Sequence, residues 1–385
     1  MTRCVLASNL FEFGQDVASP LPARVPGCAT GGADVAKPQC WLNSSVVLAS
    51  QLADAVLPGP IKTWQNAILL DPGVSSYRRF LVEQAQRHSS LLGRSFKGIV
   101  IDRTDHTTLY SHARDDNLTW CGHPCASMLQ AWLATAADVG AVIHADQASI
   151  GFEQRPLMLI NYNGGTRAEL LRDADGIFSE SGDQILNSIG LSSIGMPAVA
   201  WTYPSTHRFL DNTQQGGQGG SIIDDAYMQR HMRMGVAPMA PVYAADHSLG
   251  DSDARIDQLY RDYQPLFTSL RSTEWYLDRS AVISLSPGPA EGGPLHNVFE
   301  SATPRSSTAP FFVVLALAEE SVDSVLVTLL LPIPGPAGCE VHLPGLGAER
   351  ATVVTSKQHQ AKGIVELRLT ARLWKGCALL ACGPE

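Results

Sequence analysis

The sequence predicts an α/β protein. A (β/α)8 barrel spans residues 1–286, either short of its first strand or completing its eight with residues 140–144, and an antiparallel β-sandwich follows at 295–385. Three observations predict this. Short apolar runs alternate with helical patterns from residue 1 to about 285, most of those runs end in polar or acidic residues, and β-type runs alone fill the chain from Ala309 onward. Repeated strand, helix and strand imply a parallel sheet with right-handed crossovers. Closely spaced β-type runs without a helical period imply antiparallel sheets packed face to face.

The apolar runs are Val5–Phe13, Ala67–Leu70, Ile99–Ile101, Leu157–Ile160, Gly176–Phe178, Ala198–Trp201 and Val236–Val242. Helical patterns lie between them at Ser44–Leu57, Ser75–Leu92, Pro124–Ala137, Thr166–Arg172 and Asp224–Met234. The clearest, Ser75–Leu92, follows Asp71-Pro72-Gly73 and sets Tyr77, Phe80, Leu81, Ala85 and His88 on one stripe at three- and four-residue spacing. An open dinucleotide-binding sheet would carry a glycine-rich turn directly after its first strand. The glycines at 30–32 and 216–220 follow no strand and open no helix, which favours the barrel. Seven runs against the eight of a barrel leave two readings: "GAVIH" (140–144) is a strand, or the chain begins at the second strand. The turn-rich "PGPAEGGP" (287–294) then marks the boundary to the sandwich.

A barrel places its chemistry at the C-terminal ends of its strands. Those ends carry Glu12, Asp71, Asp102, Asn161 with Asn163, Glu180, Trp201 with Tyr203, and Asp246 with His247. Cleavage of a glycosidic bond needs two carboxyl groups, one to attack the anomeric carbon and one to protonate the leaving oxygen. Asp102 suits the first role because it directly follows Ile99-Val100-Ile101, and a carboxylate there is costly unless used or paired. Arg103 and His106 beside it favour the ionised form. Glu180 suits the second, since apolar neighbours such as Phe178 raise a carboxyl pKa toward neutrality. Glu12, Asp71, Arg103, Asp105, Asn161, Asn163, Asp246 and His247 are candidate hydroxyl binders. Trp201 and Tyr203 offer aromatic faces for a sugar.

Other classes fit less well. With 28 Lys and Arg against 37 Asp and Glu, and no basic run longer than a pair, the chain lacks the footprint of a nucleic-acid binder. No apolar stretch reaches the roughly 18 residues of a membrane span. The N-terminus lacks the apolar core of a secretory signal, and eight cysteines are too sparse for a disulfide scaffold. The compartment stays open, with a cytosolic chain of reduced cysteines favoured over a secreted one. "CGHPC" (121–125) lacks zinc-site spacing, and no cofactor motif occurs.

With Asp102 and Glu180 in place, the chain resembles the barrel glycoside hydrolases of the α-galactosidase and α-glucosidase kind. Those enzymes carry a nucleophilic Asp at the end of strand four and an acid/base carboxyl at the end of strand six. Counting one strand before the first run makes "GIVIDR" strand four, "LMLINYN" strand five and "DGIFSE" strand six. The resemblance implies a retaining, double-displacement glycoside hydrolase or transglycosidase acting on a carbohydrate without a cofactor. Val100 stands where those enzymes usually carry Lys or Trp, and Glu180 where they commonly use Asp. Two alternatives remain: a non-catalytic carbohydrate-binding barrel, and a metal-dependent hydrolase using His123, His144 or His247.

Overall fold

The computed structural model describes residues 70–93, 96–102, 110–111, 114–120, 123–145, 155–162, 168–182, 189–190, 193, 196–203, 223–239, 254–271, 273–278, 280–301, 309–333, 336–359 and 364–384. The chain divides into two units, Met1–Phe178 and Ser179–Glu385. It is a mixed α/β protein with parallel strands in its first part and antiparallel sheets in its second.

In the first unit, helix α1 spans Ser75–Leu92, the bounds its apolar stripe predicts, and buries Tyr77, Leu81 and Ala85 four residues apart. Strand β1 (Gly98–Ile101) follows, buried throughout. Burying side chains such as Ile99, Val100 and Ile101 contributes about 1.5–3 kcal/mol each. Gly98 opens β1 because a Cβ there would lie 1.9 Å from the carbonyl oxygen of Leu157. A small antiparallel sheet comes next, formed by β2 (Tyr110–Ser111), β3 (Leu118–Trp120) and β4 (His123–Ser127), with β4 central.

Here the structure corrects the expected helix at 124–137. Pro124 to Ser127 belong to β4, where pairing with Tyr110–Ser111 and Leu118–Trp120 outweighs helical spacing. Helix α2 therefore starts at Met128, capped by the Ser127 hydroxyl accepting from the Gln130 amide at 3.2 Å. It runs on to His144, so "GAVIH" is a helix end, with Gly140 and Ile143 among its buried residues. An ion pair of Arg78 with Asp138 at 2.6 Å ties α1 to α2.

Strand β5 (Leu157–Asn161) pairs parallel with β1, and β6 (Gly176–Gly182) pairs parallel with β5. Between them Ala168–Asp173 forms a 3-10 turn instead of the α-helix expected at 166–172. The run Val5–Phe13 and residues 67–69 lie outside the described residues, as does the pattern Ser44–Leu57.

In the second unit, β7 (Ala198–Tyr203) pairs parallel with the short β8 (Ala237–Pro238). Helix α3 (Asp225–Met234) lies between them, one residue inside its expected start because Asp224 is the cap and accepts from Tyr227 N–H at 2.8 Å. Gly235, at φ 70°, closes it in the left-handed conformation. Helix α4 (Ala254–Ser269) has no counterpart among the expected elements. Pro265 sits inside it, and a proline there reads in sequence as a breaker.

The antiparallel part comprises β9 (Thr273–Trp275), β10 (Val282–Ser286), β11 (Leu295–Ser301), β12 (Phe311–Ala316), β13 (Val322–Leu331), β14 (Ala337–Leu343), β15 (Gly347–Arg350), β16 (Thr352–His359), β17 (Ile364–Leu373) and β18 (Ala378–Pro384). One sheet has the order β10-β13-β17-β16, the other β15-β14-β18-β12-β11-β9. Val325, Val327, Leu367 and Leu369 of the first meet Val313, Leu315, Leu380 and Cys382 of the second in one apolar core. The second sheet also buries its other face, where Val314, Ala316 and Leu379 join Tyr227 and Met232 of α3 and Leu259, Tyr263 and Leu266 of α4. That is why "FFVVLA" is solidly apolar whereas β13 alternates. Residues 287–294 hold only a 3-10 turn, Pro289–Glu291, between β10 and β11.

Cys339 and Cys382 stand opposite each other on β14 and β18 and are joined by a disulfide, so the expectation of reduced cysteines fails for this pair. Cys125 and Cys377 are buried and not disulfide-bonded.

Candidate functional site

The site begins with strand register. Ile101 of β1 pairs with Ile160 of β5, which brings the next residues, Asp102 and Asn161, side by side at the C-terminal ends of their strands. Asp102 is 6% exposed and Asn161 5%, and the Asn161 side-chain amide donates to Asp102 Oδ1. That amide orients the carboxylate. The third strand continues the row: Asn161 pairs with Phe178, and the Tyr162 amide donates to the Phe178 carbonyl at 2.7 Å. Phe178 is buried and supplies an apolar neighbour.

Asp71 also stands at a strand-to-helix junction, directly after the bridge residue Leu70 and shortly before α1. It is fully buried and accepts from Arg114 through both oxygens, at 2.7 Å from Nε and 3.2 Å from Nη2, and from the Gly73 amide at 2.8 Å. Arg114 Nη1 reaches on to Asp116 at 3.0 Å. Burial opposes the guanidinium charge, but the hydrogen bonds and charges of Asp71 and Asp116 outweigh it and raise the pKa of Arg114. Asp71 is thus engaged as an anchor, whereas its expected role was sugar binding.

The other end of the same strands looks different. Asp175, just before β6, accepts from Arg155 at 2.6 Å and from the Met158 amide at 2.8 Å, and lies 2.7 Å from His144 Nε2. These contacts stitch β5, β6 and the end of α2 together, the stabilising work expected at strand beginnings.

The remaining sequence candidates divide in two. Glu180 lies on β6, two residues beyond Phe178, and Trp201 and Tyr203 lie on β7. Glu12, Arg103, Asp105, Asn163, Asp246 and His247 lie outside the described residues. Sequence reasoning missed Arg114 and Gly73. Asp71-Pro72-Gly73 reads as helix punctuation, and Arg114 sits in a run of exposed charges, "RDDN", with nothing local to tie it to a residue 43 positions earlier. Among the described residues no group of three or more His, Cys, Asp and Glu could hold a metal ion, and no helix is long and apolar enough to cross a membrane.

No family model and no curated protein matches the chain. Among solved structures it is similar to the glycoside hydrolase domain of PelA from Pseudomonas aeruginosa. A single-residue variant of that domain aligns with 58% of this chain and 78% of its own, at 16% identity and a TM-score of 0.31. The unsubstituted domain aligns with 45% of this chain and 69% of its own, at 17% identity and a TM-score of 0.25. These likenesses are faint, and no residue role is taken from them.

Proposed function

We propose that the chain is a glycoside hydrolase acting by the retaining route, with Asp102 as nucleophile. One observation carries the reading: a buried carboxylate at the C-terminal end of a parallel strand, oriented by a neutral amide from the next strand. That donor fixes the direction in which the carboxylate presents its oxygens. In the proposed reaction Asp102 attacks the anomeric carbon while Glu180, as a carboxylic acid, delivers its proton to the departing glycosidic oxygen. Glu180, now a carboxylate, takes a proton from water, which attacks the same carbon and releases Asp102. Asn161, Arg103, Asp105, Asn163, Glu12, Asp246 and His247 bind hydroxyls, and Trp201 and Tyr203 offer apolar faces. The finer fold reading belongs to the same proposal: a (β/α)8 barrel at 1–286 of the α-galactosidase and α-glucosidase kind, with the sandwich at 295–385.

The test is hydrolysis of a panel of aryl glycosides by the full chain. Asp102→Asn should lower turnover by roughly 10³-fold or more with the circular dichroism spectrum unchanged. Glu180→Gln should lose most on substrates with poor leaving groups, which need the proton. If Asp102→Asn still hydrolyses the panel, the nucleophile is wrong. Glycan binding without any release by the wild-type chain would show a binding protein instead.

A further inference from the structure

Between β1 and helix α2 in the chain lies an excursion made of β2, β3 and β4, within residues 110–127. Its neck is closed by pairing of Tyr110 with Ser127 and Ser111 with Ala126. Its outer hairpin pairs Leu118 with Cys125 and Trp120 with His123, and the Asp116 amide donates to the Cys125 carbonyl at 3.1 Å. Its base is buried at Ser111, Cys125 and Ala126, whereas Asp115, Asp116, Asn117 and Leu118 of the outer hairpin are exposed. Arg114, at the root of the hairpin, supplies the attachment through Asp71. The seat is shaped for it: a Cβ on Gly73 would lie 2.1 Å from Arg114 Nη2, so only glycine leaves room for the guanidinium.

We propose that Arg114 is a positioning residue, whose two-oxygen pairing with buried Asp71 locks the hairpin residues 114–120 and 123–127 as a rigid wall of the sugar site. A bidentate charged pair fixes direction as well as distance, and Asp71 cannot release the guanidinium without leaving a buried carboxylate uncompensated. The wall therefore keeps one geometry between substrate encounters. That it borders the sugar rests on the glycosidase reading of Asp102. The lock itself does not.

Two variants of the full chain test this. Arg114→Lys keeps the charge and loses the fork, and Gly73→Ala keeps both charges and obstructs the seat. Hydrogen exchange should quicken by about tenfold or more across 114–127 in both variants, with the exchange of α1 and the sandwich strands unchanged. On an aryl glycoside KM should rise by roughly tenfold while kcat stays within about twofold, the pattern of lost substrate positioning. Unaltered exchange in both variants overturns the lock. Quickened exchange with KM unmoved overturns the wall, and a collapse of kcat at constant KM overturns the positioning role by placing Arg114 in the chemistry. If the wild-type chain hydrolyses no glycoside, the glycosidase reading has failed, and the exchange measurement still decides the lock.

Discussion

Strands β1 and β12 are both apolar along their length, and they end in opposite ways. After Ile101 comes Asp102, a carboxylate kept almost dry beside Asn161. After Ala316 comes Leu317, whose amide is met by the neutral Oε1 of Gln229 from α3 at 2.7 Å. The described antiparallel strands contain no buried charged residue, whereas Asp102 follows directly on a parallel strand. Burying a carboxylate costs several kcal/mol before its partners offset that cost. A sandwich strand can end against a helix without that cost. The difference teaches that apolar burial builds both regions, while charge is spent only where something is to be held or changed.

Truncations should separate the two regions most sharply. Leu369→Ala, in the sandwich core, should lower unfolding free energy by about 2–5 kcal/mol in urea melts while leaving turnover per folded molecule unchanged. A loss of activity at constant stability would erase the distinction. Removing the cross-strand link with Cys339→Ala should cost about 2–4 kcal/mol, and reduction of the wild type should reproduce it. If neither treatment moves the melt, the pair contributes nothing to the second sheet.

Acid should act on the helical face of the sandwich. His231 of α3 is fully buried against Tyr227, its ring centroids 4.5 Å apart, and burial pushes its pKa down to about 3. Above about pH 6.5 the imidazole is neutral in both folded and unfolded chains, and its contribution is fully present. As the pH falls from 6.5 toward 3, the unfolded chain binds a proton that the folded chain refuses. Stability should drop by up to about 1.4 kcal/mol per pH unit over that window. His296 moves in the same direction, through burial first and then Arg233. Melts of the wild type and His231→Gln at several pH values check this: the variant should show the shallower slope, and equal slopes would mean the ring is already protonated in the fold. The smallest effect belongs to the sandwich edge, where Val354 is half exposed on β16. Val354→Thr should stay within about 0.5 kcal/mol of wild type.

Much of this was legible locally. The stripe of Tyr77, Leu81 and Ala85 gives α1 its bounds, and Asp224 with Gly235 brackets α3, because periodicity and caps are properties of neighbouring residues. Pro124–Ser127 reads as helix in sequence, since its strand character comes from partners at 110–111 and 118–120, outside any helical window. Asp102 was legible as a buried acid after three β-branched residues. Its orientation by Asn161, 59 residues on, was not, because only the parallel register puts the two side by side.

The sequence by itself determined the bounds of α1, the bracketing of α3, the change from helical to purely β patterning, and the apolar strand that delivers Asp102. Those follow from local spacing and from which side chains prefer to leave water. Tertiary structure alone decided that β12 and β18 are buried on both faces, that Asp71 is an anchor for Arg114, and that Asn161 orients Asp102. Those outcomes depend on groups far apart in sequence meeting where water is excluded, and there the partners decide how a buried carboxylate is held.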